Sequence, residues 1–456
     1  MFGDLDAEHD TTYAIRGYFE NGGAVAWVLR LAPDETPTAK GTWTPSTALS
    51  GMPPSIRFHA SSPGLWAANL SISISFRREG VRDRPEIDLF VRDAGGATEA
   101  LVGLDAWELP RELAERSVWL RCDRFDPVLL PVRGPRAIDG ELALSIDNVA
   151  MAGLDKVHYL AALDRLGDVP EVAIVVLPEL LELPSADVAE ILQYAIVQAE
   201  TLRDRIVLVD LPRTVANSGV SVADSVKRWL ELPLERARED LPWRAGACYF
   251  PWIRVDDPLD LAGRIRSIAP SGHVAGVISL LDRDRGAHHT PALESMIGVF
   301  DLELEASRDD HAVLNEEGVN VLRCMPGRGF AMWGGRTLDR ERDHRYLAHR
   351  RLIHRLVRAI RRVAEPLVFE TNGPALWLQL VRGITSVLLE AWRSGALKGA
   401  RAEDAFLVQC DAETNPPEEV ELGRCLCRIA VAPATPMEFI VLRLALSRDG
   451  AIEVLP

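Results

Sequence analysis

The stretch LNEEGVNVLRCMPGRGFAMWGGRTLDRERDHRYLAHRRLIHRL, residues 314–356, decides how the chain is read. A polar turn, Asn315-Glu316-Glu317-Gly318, precedes a short apolar run at 319–324. The turn Pro326-Gly327-Arg328-Gly329 leads to a second apolar run at 330–333, and Gly334-Gly335 closes a tight corner. After Thr337 and Leu338 the apolar period changes from 2 to 3.6: Tyr346, Leu347, Leu352, Ile353, Leu356 and Val357 fall at helical spacing, with arginines between them. The stretch predicts a β-turn-β unit feeding a basic amphipathic helix.

Working outward, 456 residues allow two or three domains. The formal net charge of -16 disfavours a general binder of nucleic acid or anionic membrane. No apolar run reaches the roughly 18 residues of a membrane span, and the start MFGDLDAEHD has no signal-peptide pattern. Six scattered cysteines, with no C-x-x-C pair, read as small apolar core residues of a cytosolic product; Cys425 and Cys427 share one face of an expected strand.

Residues 7–21 predict a helix stopped by Asn21-Gly22-Gly23, and 24–31 a buried strand. Residues 32–50, with Pro33, Pro37 and Pro45, read as a surface excursion. Short alternating strands at 55–60, 70–76, 86–91, 97–101 and 118–122 predict a small β-rich insertion. From about residue 140, apolar runs at 172–177, 205–210 and 246–252 alternate with helical patterns at 186–202 and 221–232, implying a parallel sheet with helices on both faces. A long helix is expected at 374–394 and strands at 406–411, 420–431 and from 439 to 446. Trp252, Trp333, Trp377 and Trp392 read as core, and Gly395 and Gly399 as corners.

These features carry a family resemblance. Asn315-x-x-Gly318-Val319-Asn320, Arg328-Gly329, Trp333-Gly334-Gly335-Arg336-Thr337-Leu338, Arg345-Tyr346 and Arg350-Arg351-Leu352 resemble contractile tail sheath proteins of phages, pyocins, type VI systems and extracellular injection systems. Gly335 stands in place of the usual Ala, and His344 where an aromatic is common. The similarity recurs in order from about 15 to 440: Phe19-Glu20-Asn21-Gly22-Gly23, Asp204 to Pro212, Pro270 to Val277, Phe369 to Asn372, Gly395 to Gly399, and Pro433 to Ile440 with Pro436, Glu438 and Phe439.

The resemblance implies a mixed α+β, α/β multidomain chain. Its expected parts are a subtilisin-like α/β middle domain at 1–34 and 135–312, an inserted outer β-rich domain at 35–134, and a C-terminal α+β sheath domain at 313–456 that faces the tube and polymerises. Family members carry several tens of residues ahead of the first helix, so this start is expected to be either misplaced or that of a shortened member. The implied function is a structural subunit that polymerises helically around an inner tube and contracts to drive it through a target envelope. The alternatives are an accessory component at the baseplate or cap end and, last, a hydrolase. The implied partners are copies of itself, the inner tube protein, and baseplate and cap components, with no nucleic acid. Assembly is expected in the cytoplasm within a phage-tail-like particle, with release outside the cell as a further possibility.

Asp282, Asp284, His273, His288 and His289 lie close in sequence and offer oxygen and imidazole ligands. The competing reading is a polar loop in which Arg283 and Arg285 pair the aspartates, and those arginines disfavour a cation. No G-x-S-x-G elbow or phosphate loop is present, so no catalytic, cofactor or metal residue is assigned. The resemblance implies that Arg350, Arg351, Arg355, Arg358 and Arg362 meet an acidic tube, against a competing reading as salt bridges within or between subunits. It implies that Ile452, Glu453, Val454 and Leu455 form an arm lent to a neighbour's sheet.

Overall fold

The computed structural model describes residues 5, 9–33, 36–44, 55–68, 70–77, 85–93, 95–125, 139–146, 153–213, 221–234, 241–259, 265–341, 343–434, 440–446 and 452–455. Pro436, Glu438 and Phe439 lie outside them. The chain divides into two compact units, one of Arg30–Leu154 and one of Phe2–Leu29 with Asp155–Pro456.

The first unit holds two antiparallel sheets. One orders Lys40–Trp43, Ile56–Ala60 and Leu120–Cys122; the other orders Thr98–Asp105, Glu86–Arg92, Ser71–Arg77 and Asp139–Ala143. Strand alternation drives the packing: Ile72 and Ile74 point inward from Ser71–Arg77 while Ser71 and Ser73 stay exposed. Ile56, Phe58, Ile87 and Leu89 complete this core, and Trp43 stacks on Phe76 with centroids 5.1 Å apart. The strand at Lys40–Trp43 was unexpected, because its Lys-Gly-Thr sequence carries little β signal; pairing Gly41 with Phe58 supplies it.

The second unit is built on a five-stranded sheet ordered Gly329–Trp333, Val319–Met325, Gly246–Phe250, Ile206–Val209 and Ile174–Val176. The last four are parallel and the first is an antiparallel edge, so the sheet crosses the expected boundary at residue 313. Ile206–Val209 and Gly246–Phe250 are buried at every position, which explains their unbroken apolar sequence. Helix Asp10–Glu20 lies against helix Ser271–Asp284. They approach so closely that a Cβ on Gly276 would sit 2.4 Å from the Tyr18 carbonyl, which is why the small residues of Gly272-x-x-x-Gly276 recur at one turn's spacing.

The C-terminal part packs helices Leu347–Ala364 and Pro374–Arg393 on an antiparallel sheet ordered Phe406–Gln409, Cys425–Val431, Ile440–Leu446 and Ile452–Leu455. Residues expected to begin a strand at 420 instead finish a short helix, Pro417–Glu421, started by Pro417 in its first turn. The expected strand at 24–31 has no ladder partner among the described residues. Trp252, Trp333, Trp377 and Trp392 are half-buried rather than core. Three of them bury the ring but keep a hydrogen bond at Nε1: to the Leu211 carbonyl (2.7 Å), Asn372 Oδ1 (2.9 Å) and the Gly399 carbonyl (3.0 Å).

Candidate functional site

The stretch quoted first folds around one asparagine. Asn320 is 1% exposed, and its Nδ2 donates to the carbonyls of Cys248 (3.0 Å) and Arg336 (2.8 Å). Its Oδ1 accepts the Arg336 backbone N–H at 2.7 Å. One side chain thus ties two sheet strands to the corner that launches the basic helix. Gly334 must be glycine: its φ is 155°, and a Cβ there would lie 2.6 Å from Asn320 Oδ1. Arg336 Nη1 donates to the Asn315 carbonyl at 2.6 Å, and fully buried Thr337 donates to the His344 carbonyl at 2.8 Å. Gly318 precedes the strand with positive φ, Arg328 and Gly329 form the exposed hairpin turn, and Arg323 lies over the Trp333 ring. Asn372 donates to the Arg424 carbonyl at 2.7 Å, and Gly395 and Gly399 turn the chain with positive φ.

The basic helix departs from the tube-facing expectation. Arg350 and Arg351 are 9% and 4% exposed. Arg350 pairs with Glu200, which Arg244 also meets at 2.5 Å; Arg351 pairs with Asp282. Arg358 donates to the Asp204 carbonyl, and Arg361 reaches the Asp204 carboxylate at 3.0 Å. Arg205, fully buried, holds that carboxylate from the other side at 2.8 Å. Arg350, Arg351 and Arg358 are therefore bonded within their own unit, and Arg355 and Arg362 are the exposed members of the expected set. This agrees with the competing salt-bridge reading, whose partners the sequence could not name because Glu200 and Asp204 lie about 150 positions upstream.

Burial raises the Glu200 carboxyl, but Arg350 and Arg244 outweigh it and hold it below the usual range. Burial lowers Arg351 and Arg358 to about 10, which leaves both charged at neutral pH. His354, inside the same cluster, is held neutral by burial and by the surrounding arginines.

The oxygen and imidazole groups weighed as a rival metal site are not brought together. Asp282 and Asp284 sit in the last turn of a helix rather than a loop; Asp282 is taken by Arg351 and Asp284 by Arg283 at 2.9 Å. Arg285 pairs Glu294 instead, at 2.5 Å. Burial lowers His273 to about 4, and its ring packs against Gly17.

Two further surfaces bear on assembly. Ile452–Leu455 pairs with Ile440–Leu446 of the same chain, in the register Leu446↔Ile452 to Arg443↔Leu455. In the second unit, the stretch 24–29 carries Val25 (70% exposed), Trp27 (57%), Val28 (40%) and Leu29 (40%), beside Phe19 (43%). The sequence signal for this stretch, an apolar β-prone run, reads alike whether its partner lies in the same chain or in another.

The geometry defines a scaffold: its charged side chains are engaged in joining one element to another. Residues 339–447 match the family model of the phage tail sheath C-terminal domain. Over 206 residues the chain is 24% identical to the tail sheath protein of Burkholderia phage BcepMu, a match covering 43% of this chain and 41% of that protein. The chain thus spans less than half the length of that relative. The helical sheath of the anti-feeding prophage in its contracted state is similar with a TM-score of 0.50 and 25% identity, over 65% of this chain and 76% of that one. The sheath tail protein Lin1278 of Listeria innocua is similar in fold across 98% of this chain and 88% of that one, with a TM-score of 0.62 at 12% identity. Residues 339–447 thus match the sheath C-terminal domain, and the chain as a whole is similar to contractile tail sheath proteins. Among the described residues no helix is long and apolar enough to cross a membrane.

Proposed function

We propose that this chain is the structural subunit of a contractile sheath: it polymerises helically around an inner tube and drives the tube through a target envelope on contraction. Its partners are copies of itself, the tube protein, and baseplate and cap components. No cofactor or hydrolysis enters, because the work comes from relaxation of a kinetically trapped lattice. On this reading it assembles in the cytoplasm and leaves within a phage-tail-like particle. The parallel sheet with its helices serves as the subtilisin-like middle domain, drawn from 1–34 and 135–312 and completed by the two strands within 319–333; 35–134 is the outer insertion and the rest of 313–456 the polymerising domain.

The observation that carries this reading is the extended apolar stretch at 24–29. A β-prone segment that exposes Val25 and Trp27 in the isolated chain is stabilised when a neighbouring subunit adds a strand beside it. Strand exchange has a second support. The Ile452–Leu455 pairing within one chain is a hairpin that two chains can reproduce by swapping, at little cost in contacts. Arg355 and Arg362 remain as the cationic groups offered to an acidic tube. Electron microscopy of the chain expressed with its tube protein tests the function. Helical sheaths around tubes are expected; naked tubes beside monomeric chain would sink it.

A further inference from the structure

The C-terminal sheet gathers three cysteines that the sheath reading leaves without a role. The pairing of Phe406–Gln409 with Cys425–Val431 ends at Gln409↔Arg428, so Cys410 enters the turn next to Cys427. Strand alternation puts Cys425 and Cys427 on one face. All three are buried, at 7%, 3% and 1% exposure, and their Sγ atoms lie within 4.8 Å of one another. Cys410 and Cys425 are 3.8 Å apart. Two thiolates on one zinc, at about 2.3 Å each in tetrahedral geometry, are themselves separated by about 3.8 Å.

A second observation separates this cluster from three thiols that merely fill space. Asn415, 2% exposed, aims Nδ2 at Cys410 Sγ from 3.6 Å. Its Oδ1 accepts the Leu426 N–H (2.5 Å), and its two Nδ2 hydrogens are shared among that sulfur, the carbonyls of Leu426 (3.0 Å) and Asp411 (3.0 Å) and the Thr414 hydroxyl (2.9 Å). An amide N–H held against a buried sulfur suits a thiolate, and metal-bound sulfurs carry such second contacts.

We propose that Cys410, Cys425 and Cys427 form a three-thiolate site for a closed-shell thiophilic ion, Zn(II) or Cu(I), with the Asn415 amide donating to the Cys410 sulfur. Such ions prefer soft sulfur donors, and three converging thiolates with no carboxylate or imidazole among them select for them. On uptake the Cys410, Cys425 and Cys427 thiols lose their protons to solvent, three metal–sulfur bonds form, and no redox change occurs. The ion would clamp the 410–425 turn to the strand beside the one that receives Ile452–Leu455.

The test uses the full chain, expressed in medium supplemented with Zn(II) or with copper salts and purified under reductant without chelator. Elemental analysis should find about one ion per chain, and the arm that loads identifies which. The cobalt-substituted protein should show a thiolate-to-metal charge-transfer band. Cys425→Ser and Cys427→Ser should each lower the metal content at least tenfold, while Cys324→Ser, at the exposed cysteine, leaves it unchanged. Folding of each variant is checked by its unfolding midpoint. Three results would overturn the proposal: native chain still metal-free after refolding with either ion, a triple serine variant that keeps its metal, or a Cys410–Cys425 disulfide in protein alkylated on cell lysis.

Discussion

The helix Leu347–Ala364 and the stretch 24–29 invert the usual rule in opposite senses. The helix carries arginines at positions where a charged run is ordinarily solvated, and it buries Arg350 and Arg351. The stretch carries valine, tryptophan and leucine, which ordinarily form core, and it exposes them. The difference is one of partners. Each buried arginine has a carboxylate of its own unit waiting for it, whereas the apolar stretch has no ladder partner among the described residues. Buried charge here serves cohesion within the unit, and on the function proposed above the exposed apolar stretch is left for contact with a neighbouring copy.

The largest effect that tests this contrast is expected on the charged side. Glu200→Ala strips the carboxylate from Arg350 and Arg244 and leaves a buried cation unpaired, which costs about 3–5 kcal/mol. Denaturant unfolding should show a clear fall in midpoint. An unchanged midpoint would mean that Arg350 reaches water and belongs to the outer surface after all. Asn320→Ala should cost somewhat less, about 3 kcal/mol, because it removes three hydrogen bonds, one buried and two part-buried, made by a fully buried side chain. Unfolding of this variant followed by both far-UV circular dichroism and tryptophan fluorescence checks it.

Much of the fold was legible. Runs such as 206–209 and 246–250 are apolar because strands covered on both faces have no polar side to show, and of the positions read at helical spacing, Leu347 to Val357 fall in the basic helix, with Tyr346 just before it. What escaped notice depends on residues remote in sequence. The partners of Arg350 and Arg358 lie about 150 residues away, so no local pattern announces them. Lys40–Trp43 is a strand only because Ile56–Ala60 pairs it. The cysteine cluster was half visible, since Cys425 and Cys427 alternate on one strand, but Cys410 joins them only through the antiparallel turn.

Acid–base behaviour sharpens the contrast by a smaller margin. Burial raises Asp210 from 3.8 to about 7, although Ser271 donates to it from both its backbone N–H (3.2 Å) and its hydroxyl (2.5 Å). The folded chain keeps this proton where the unfolded chain has lost it, so its contribution to stability falls as pH rises from about 4 to 7. Glu200 acts the other way: its lowered value gives stability above the ordinary glutamate range that is lost as pH falls through the folded value. Asp210→Asn should therefore gain on the parent chain steadily across pH 5 to 7 in urea titrations. A constant difference across that range would show that Asp210 is already ionised in the fold.

The smallest change in stability, paired with the largest in assembly, is expected at the exposed groups. Val25→Asp with Trp27→Asp should alter the monomer by no more than about 0.5 kcal/mol, since neither side chain is packed in the isolated chain. The same pair should abolish sheath formation, because a carboxylate facing an added strand is desolvated with no partner. Arg355→Glu with Arg362→Glu should likewise spare the fold but weaken co-sedimentation with tubes, increasingly so at low salt. The two pairs separate two kinds of contact: the aspartates break the lattice whether or not a tube is present, and the charge reversals matter only around one. If the aspartates instead lowered the unfolding midpoint as much as Glu200→Ala does, the stretch at 24–29 would be part of the subunit's own core. The division of labour between buried charge and exposed apolar surface would then fail at its simpler half.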